Sequence, residues 1–461
     1  MESVTFSKAV RSCLCVFLFF LAAVFMFCSS ADAALTPAQI RSTIEQSMAA
    51  LLTGKKFTPD LERRQKALIS MFESGQVKRT DIKKEIENAI IPVLNSQKTS
   101  RYILEKLPAR FKKLFSHYIE WEEARRIMWK VCSSIIGKGQ HMVITIGTLA
   151  PEGTPWINVP QTMLVPRMKE LSGGKVIIKI YTGGVMGEDT DILRKMDIGQ
   201  LDGCGCTAVG ILAASPETSV FLIPGLFRNY DEVDYVGKKL RKRLDSAFEK
   251  RGYILAALID TGFFYMFTKN RVSCLADVAK EKVPAWFGIV ETSLYKELGI
   301  NATPVAVPEM VSALSSGLVN CDLAPPAWML GMQAYQYVNY YIKPPLVYSP
   351  AAIIISTNTR ERLRKKFGVS KTFAYNIQEL LVFEVRSLEP EWKRQVRTYE
   401  AKSLKAFETK CGMKAVTLPE ADMQAFKAAG EKVGKELAGK AYPKELADKV
   451  IKALKEYRKG R

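Results

Sequence analysis

An α/β fold behind a separate all-helical segment is what this sequence predicts, and three observations carry the prediction. From Val143 to Cys206 strand-like runs alternate with helical ones. VITIG (Val143–Gly147), KVIIKIY (Lys175–Tyr181) and the GCGC run at 203–206 are separated by stretches with helical apolar spacing. Residues 36–135 show helical spacing throughout and no strand signal. At 461 residues the chain is too long for one core and predicts two or three domains. Strands joined by helices pair in parallel, because each crossover must pack on a sheet face. Ligands of such sheets sit beyond the carboxyl ends of the strands. The loops Thr148–Trp156 and Thr182–Glu188 occupy that place, so a ligand-holding lobe is expected there.

The first 33 residues differ from the rest. Lys8 and Arg11 precede an apolar run from Cys13 to Cys28, and Ala31-Asp32-Ala33 closes it. A basic start, a short apolar stretch and an A-x-A site read as a secretory leader with Ala34 as the mature start. An exported, periplasmic protein follows. The whole chain is 48% hydrophobic and 25% charged, an ordinary globular composition. A net charge of +20 admits an acidic partner or an anionic surface. Its lysines and arginines are spread along helical stretches such as Lys238–Arg243 and Arg360–Lys366, which reads as solvated helix faces. Aromatic-interleaved basic patches are missing, so no nucleic-acid partner is expected. Six cysteines follow the leader: Cys132, Cys204, Cys206, Cys274, Cys321 and Cys411. Their spacing selects no pairing. Cys204 and Cys206 share a strand face, but with only His117 and His141 in the chain no metal site and no cofactor are expected.

The helical segment (34–138) should be a small bundle. Thr36-Pro37 and Thr58-Pro59-Asp60 start helices with a cap followed by proline. Further amphipathic stretches run from Thr80 to Leu94, Lys98 to Ser116 and Trp121 to Ile136. Beyond Cys206 we expect a helix at Ala208–Ala214, a buried strand at Phe221–Pro224 and a basic helix from Tyr230. Strands follow at Tyr253–Asp260, Phe263–Thr268, Lys282–Phe287, Thr303–Val307, Val319–Leu323 and Ala351–Ser356. Residues 370–410 read as helix with a break at Pro390, and 418–459 as a polar helical tail.

The order of short motifs resembles a known family. Ala150-Pro151…Pro155-Trp156, Ser172-Gly173-Gly174-Lys175-Val176, Gly183-Gly184…Gly187-Glu188, Leu201-Asp202 and Leu222-Ile223-Pro224…Phe227-Arg228 come first. Leu275-Ala276-Asp277, Gly299…Thr303-Pro304 and Glu309…Ala313-Leu314…Gly317-Leu318-Val319 follow in register. Each piece is weak alone, but the collinear set, from about Val143 to Lys440, is similar to the solute-binding subunits of tripartite ATP-independent periplasmic (TRAP) transporters. The resemblance implies two α/β lobes that exchange strands and close on a small organic ligand like a hinge. Lobe I would be 142–262 plus 356–397, and lobe II 263–355 plus 398–461. Membrane subunits of the transporter would be the partner.

Departures from the family pattern set the ligand expectation. The arginine with which members clamp a substrate carboxylate falls on Pro284; a gapped alignment offers Lys282, a poorer bidentate donor. Other family contact positions fall on Leu149, Thr207 and Ala324, and on the run Gly262-Phe263-Phe264-Tyr265. Trp286, Phe287, Pro325-Pro326 and Trp328 lie beside these positions. A carboxylate buried without its charged partner costs several kcal/mol, ~3–5 for breaking a buried pair. Aromatic surface instead favours an apolar or weakly polar ligand, at ~25 cal/mol per Å² buried. The expected ligand-binding residues are therefore Trp286, Pro284, Trp328, Tyr265, Phe264, Thr207, Leu149 and Ala324, with Trp286 first. Phe263 and Phe264 have an equal reading as lobe core.

Enzyme readings find no support in the motifs. G-x-S-x-G, H-E-x-x-H, a phosphate loop and G-x-G-x-x-G are all missing. Glu152, Glu188 and Asp189 sit in ligand-side loops, where turn and cap roles suit them better than acid–base catalysis. The alternative to transport is a ligand-dependent periplasmic sensor or scaffold that acts on a protein partner through the helical domain.

Overall fold

In the computed structural model, residues 34–53, 56–96, 121–136 and 139–460 are described. The leader and the expected Lys98–Ser116 helix lie outside them, as do Gly137 and Lys138. By mutual packing the chain divides into two units. One holds the residues up to His141 with Leu171–Lys175 and Leu363–Phe383; the other holds Met142–Glu170, Val176–Arg362 and Glu384 to the C-terminus.

The first unit is helical, as its spacing predicts. Helices run over Pro37–Thr53, Pro59–Glu73, Arg79–Ser96 and Trp121–Ile135. Thr58 caps the second helix through its Oγ1, which accepts the Leu61 N–H at 3.2 Å, with Pro59 in the first turn. Ile44, Met48, Leu68, Ile82, Ile86 and Trp129 are buried between these helices. Leu363–Phe383 adds Phe373, Ile377 and Leu380 to the buried set of this unit.

The second unit is built on one mixed sheet. Its strands are β1 (Met142–Thr148), β2 (Val176–Tyr181), β3 (Gly203–Cys206), β4 (Tyr253–Thr268), β7 (Cys321–Ala324), β8 (Tyr340–Lys343), β9 (Val347–Ser356) and β10 (Lys414–Thr417). β5 (Val283–Ala285) and β6 (Ala302–Pro304) form a parallel pair of their own. β2, β1 and β3 lie side by side and parallel, as the helical crossovers require. Asp202 ties this edge together. Its carboxylate accepts the Thr145 N–H at 2.9 Å and the Thr359 hydroxyl at 3.0 Å, and pairs with Arg362.

β4 decides the architecture. Its first part pairs antiparallel with β9, from Tyr253↔Ser356 to Phe264↔Val347. Its last four residues pair with β7 and β8 instead. One continuous strand thus serves both halves of the sheet, where the sequence reading expects two strands broken at Gly262. The break survives as a bulge between Asp260 and Gly262. Gly262 has φ +121°, and a Cβ there would meet Glu400 Oε2 at 2.5 Å.

Around that bulge lies a buried polar cluster. Arg397 donates to Asp260 at 2.7 Å and to both oxygens of Asp234 at 2.6 and 2.8 Å. Its guanidinium stands 4.3 Å from the Tyr230 ring centroid. Tyr348 donates to Asp260 at 2.7 Å, while Tyr230 and the Phe263 N–H donate to Glu400. Burial pushes the Glu400 carboxyl up to about 7 against those two donors. Four elements are locked at one point: β4, β9 and the helices Tyr230–Lys250 and Glu389–Thr409.

Other differences from the expectation have local causes. Phe221–Pro224 is not a strand: Pro216–Leu222 is a 3-10 helix with Phe221 and Leu222 buried, and a short apolar run cannot by itself distinguish the two. The tail is two amphipathic helices, Glu420–Leu437 and Lys444–Lys459, whose apolar stripes are buried, rather than one polar stretch. The helix break expected at Pro390 falls at Leu388, which places Pro390 in the first turn of Glu389–Thr409, where a missing N–H costs nothing.

Substituting Gly262→Ala should lower stability by about 1–3 kcal/mol in urea unfolding, through positive φ and the clash with Glu400. Gly237→Ala, in a helix where a new Cβ would sit 3.8 Å from Leu258, should be neutral or stabilising.

Candidate functional site

Two loops at the carboxyl ends of β1 and β2 meet the other half of the unit. Gly183 and Gly184 donate to Ala150 and Thr148 carbonyls, holding the loops together. A Cβ at Gly184 would touch both Leu149 and Pro308 at 3.4 Å, so Leu149 faces the Val307–Glu309 turn across the crevice. Glu188 begins the Asp189–Asp197 helix in a capping box with Asp191. Burial pushes its carboxyl up to about 7, with Asp189 adding to the rise and the Val307 N–H opposing it. Glu188 thus serves as a helix cap, as expected, whereas Asp189 acts as a buried anchor for Thr207 and Gly210.

Asp189 fixes the start of the next element. It is fully buried and accepts the Thr207 N–H at 2.8 Å, the Thr207 hydroxyl at 2.7 Å and the Gly210 N–H at 3.1 Å. Thr207 also caps the Ala208–Ala214 helix, its oxygen accepting the Val209 N–H while its hydroxyl proton is committed to Asp189. Cys204 and Cys206 form a disulfide on the face of β3 that packs on Asp189. These three are the one group of metal-type donors that comes together among the described residues. With the sulfurs joined and the carboxylate taken up by three N–H or O–H donors, they do not make a cation site.

The aromatic residues assemble on the opposite side. Phe264, on β4 and fully buried, stacks on Trp286 with ring centroids 5.6 Å apart. Phe287 meets both rings edge-on, at 5.7 and 5.1 Å. The turn that carries Trp286 and Phe287 is held by Glu291, whose Oε2 accepts both of their backbone N–H groups at 2.7 and 2.9 Å. Burial pushes Glu291 up to about 8. Below the indole lies Asp322, pushed up to about 7 by burial and drawn back by the Trp286 and Leu323 N–H groups. The indole Nε1–H is directed at this acid without closing to a hydrogen bond.

Between Trp286 and the Ala208–Ala214 helix is a cavity of about 410 Å³. It is lined by Val209, Leu212, Ala213 and Pro216, by Trp286 to Ile289, and by Ser219, Lys440 and Ala441. A volume of this size suits a small organic molecule.

Of the residues singled out in the sequence, Trp286 lines this cavity and Phe264 supports it from beneath. Pro284 is buried in β5, two residues before Trp286. Tyr265 and Ala324 are both buried and face each other across β4 and β7. Thr207 precedes the cavity's helical wall, and Leu149 belongs to the crevice with Gly184 and Pro308. Trp328 is half-buried in the Pro326–Gly331 helix and does not line the cavity. The sequence reading misses the helical wall at Val209, Leu212 and Pro216. Its signal is a stripe at helical spacing directly after Thr207. The Lys440–Ala441 edge carried no such signal, because it comes from the far end of the chain.

A sequence profile of the bacterial extracellular solute-binding protein family 7 (DctP) matches residues 146–440. The chain belongs to this family. Family 7 proteins are solute-binding proteins of the TRAP type and not enzymes. The chain is 23% identical over 198 residues to a solute-binding protein of Verminephrobacter eiseniae, and 22% over 200 residues to one of Chromohalobacter salexigens. These alignments take in 42% and 43% of this chain and 59% of each relative. Among solved structures, the sugar acid binding protein of Advenella mimigardefordensis in complex with galactonate superimposes with a TM-score of 0.62 at 20% identity, over 69% of this chain and 99% of that one. A TRAP periplasmic solute-binding protein of Desulfovibrio salexigens with bound orotic acid gives 0.59 at 18% identity, over 68% and 97%. The family match begins after the helix Trp121–Ile135.

Each of Glu188, Glu291 and Asp322 has a folded-state pKa above its ordinary 4.5 or 3.8. The folded chain therefore holds protons that the unfolded chain has lost. Stability is greatest below the unfolded values and falls as pH rises through the folded ones. Calorimetry should show the melting temperature dropping from about pH 5 to 8, and the Asp322→Asn variant should show a shallower drop.

Proposed function

We propose that this family 7 protein captures a small, apolar or weakly polar organic ligand between the two halves of its sheet and passes it to the membrane subunits of a TRAP transporter. The observation that carries this reading is the Trp286 cavity. Where members present an arginine, this chain has Pro284, and two residues on an indole backed by Phe264 and Phe287 faces the apolar helix after Thr207. Such walls reward contact with carbon and offer no fork for a carboxylate. Leu149, Tyr265, Ala324 and Trp328 would shape the remainder of the crevice by excluding water. The bulge at Gly262 is the natural place for the halves to hinge, since both share β4 there.

The helices that precede the family match favour a second reading, a sensor or scaffold that meets a protein partner through residues 34–138. Co-purification separates the two: TRAP membrane subunits support transport, and a sensor or scaffold protein in their absence supports the second.

Native mass spectrometry of the purified protein should recover an apolar or weakly polar organic molecule; a small di- or tricarboxylate would reject that ligand class. Trp286→Ala should weaken binding by about tenfold or more, at a stability cost of about 1–3 kcal/mol because the ring is half-buried against Phe264. Ala213→Trp, which fills the cavity from an exposed position, should weaken binding while leaving the melting temperature in place.

A further inference from the structure

The disulfide on β3 leaves a neighbouring acid short of a donor. Along Gly203–Cys206 the side chains alternate. The glycines take the crowded side, where a Cβ at Gly203 would meet the Ile354 carbonyl oxygen at 2.6 Å and one at Gly205 the Thr148 Oγ1 at 3.0 Å. Cys204 and Cys206 take the other side and are fully buried against Asp189. The two oxygens of that carboxylate are used unequally. Oδ2 accepts the Thr207 N–H, the Thr207 hydroxyl and the Gly210 N–H. Oδ1 meets, among the described residues, only the Cys204 Sγ at 3.8 Å, and a disulfide sulfur has no hydrogen to give. A Cys204 thiol in the same place would have one. A buried carboxylate oxygen without a donor is costly, so the two oxidation states of the cysteine pair differ at this acid. As a staple the bond does little: it joins residues 2 apart in sequence, and so short a loop restrains the unfolded chain far less than a long one. Beyond Asp189 the contacts continue to Thr207, whose oxygen accepts the Val209 N–H at 3.3 Å, and Val209 lines the cavity.

We infer that Cys204 and Cys206 form a reversible dithiol–disulfide site, and that Asp189 passes its oxidation state to the start of the Ala208–Ala214 helix. The reductant is a small thiol. Its thiolate attacks one sulfur to give a mixed disulfide, and the other cysteine leaves as a thiolate that takes up a proton. A second thiol then displaces the mixed disulfide. Two small thiols are oxidised to one disulfide, and the pair gains two electrons and two protons. The Cys204 S–H now donates to Asp189 Oδ1. Asp189 is a positioning residue: with both oxygens satisfied it holds the Thr207 and Gly210 N–H groups more firmly. A small disulfide reverses every step. Because both sulfurs are buried, exchange needs local opening of this face of β3, which suits a small thiol better than a protein dithiol. The inference is independent of what the cavity binds.

The test treats the full chain with dithiothreitol in the absence of denaturant, traps thiols with iodoacetamide and maps the peptide bearing residues 203–206 by mass spectrometry. Both cysteines should be alkylated, and glutathione disulfide added before the trap should protect them again. Amide hydrogen exchange, followed on the peptide spanning 205–212, should be slower by about threefold in the reduced protein than in the oxidised one. Cys204→Ser with Cys206→Ala keeps a donor for Oδ1 and should match the reduced protein. Cys204→Ala with Cys206→Ala has neither bond nor donor and should exchange faster than the serine variant. A disulfide that dithiothreitol reaches only after unfolding overturns the inference. So does a reduced protein whose 205–212 exchange is unchanged or faster, the result expected of a structural bond alone. If the two variants fold and exchange alike, Asp189 does not carry the signal and the inference falls as well; the comparison of reduced with oxidised protein needs no variant.

Discussion

Everything in the second unit depends on how β4 passes from one half of the sheet to the other. A sixteen-residue strand that pairs first with β9 and then with β7 and β8 must change twist and direction within a few residues. The chain does this at Gly262, where no side chain could stand in the space that Glu400 occupies. Glu400 and Tyr230 then satisfy the Phe263 N–H beside the bulge, and Tyr348 and Arg397 satisfy the Asp260 carboxylate. Buried charges are tolerated only when every lone pair and proton has a partner, and removing one partner here would strand the others. The cluster therefore fixes a single arrangement of strands and helices at the point where β4 passes from one half of the sheet to the other.

From that point the site follows. Because β4 continues into the second half, Phe264 emerges four residues after Asp260 on the side where Trp286 packs. Because Asp202 clamps β1, β3 and the start of the Asn358–Phe367 helix, β3 delivers Thr207 to a fixed place and Asp189 holds it there. The Ala208–Ala214 helix then presents its apolar stripe across from the indole. Glu291 and Asp322, buried and raised toward neutrality, brace the aromatic turn without placing full charge beside it. A wall of this kind can hold carbon firmly. Charge recognition, where it occurs, has to come from a residue outside β5.

Much of this was legible in the chain. The parallel β2–β1–β3 edge, the helix at Ala208–Ala214 and the capped helices of the first unit are local patterns of period and capping, and they fold as written. The collinear motifs lead to the family that the profile match shows. Phe221–Pro224 and the tail were misjudged because short apolar runs and long charged helices leave burial undecided until a neighbour is present. β8 and β10 went unseen because each is only four residues long and each is stabilised by partners far away in sequence.

The sequence alone determined which side-chain chemistries were available: the proline at 284 and the aromatic residues at 263–265, 286–287 and 328 are facts of composition. Tertiary structure decided which of them share one cavity. It puts Trp286 on the cavity with Phe264 stacked against it, sets Trp328 elsewhere, and brings Lys440 from the far end of the chain to the same lining. The reason is physical: side-chain chemistry is carried by each residue, whereas adjacency between residues hundreds apart is created only when buried surfaces meet.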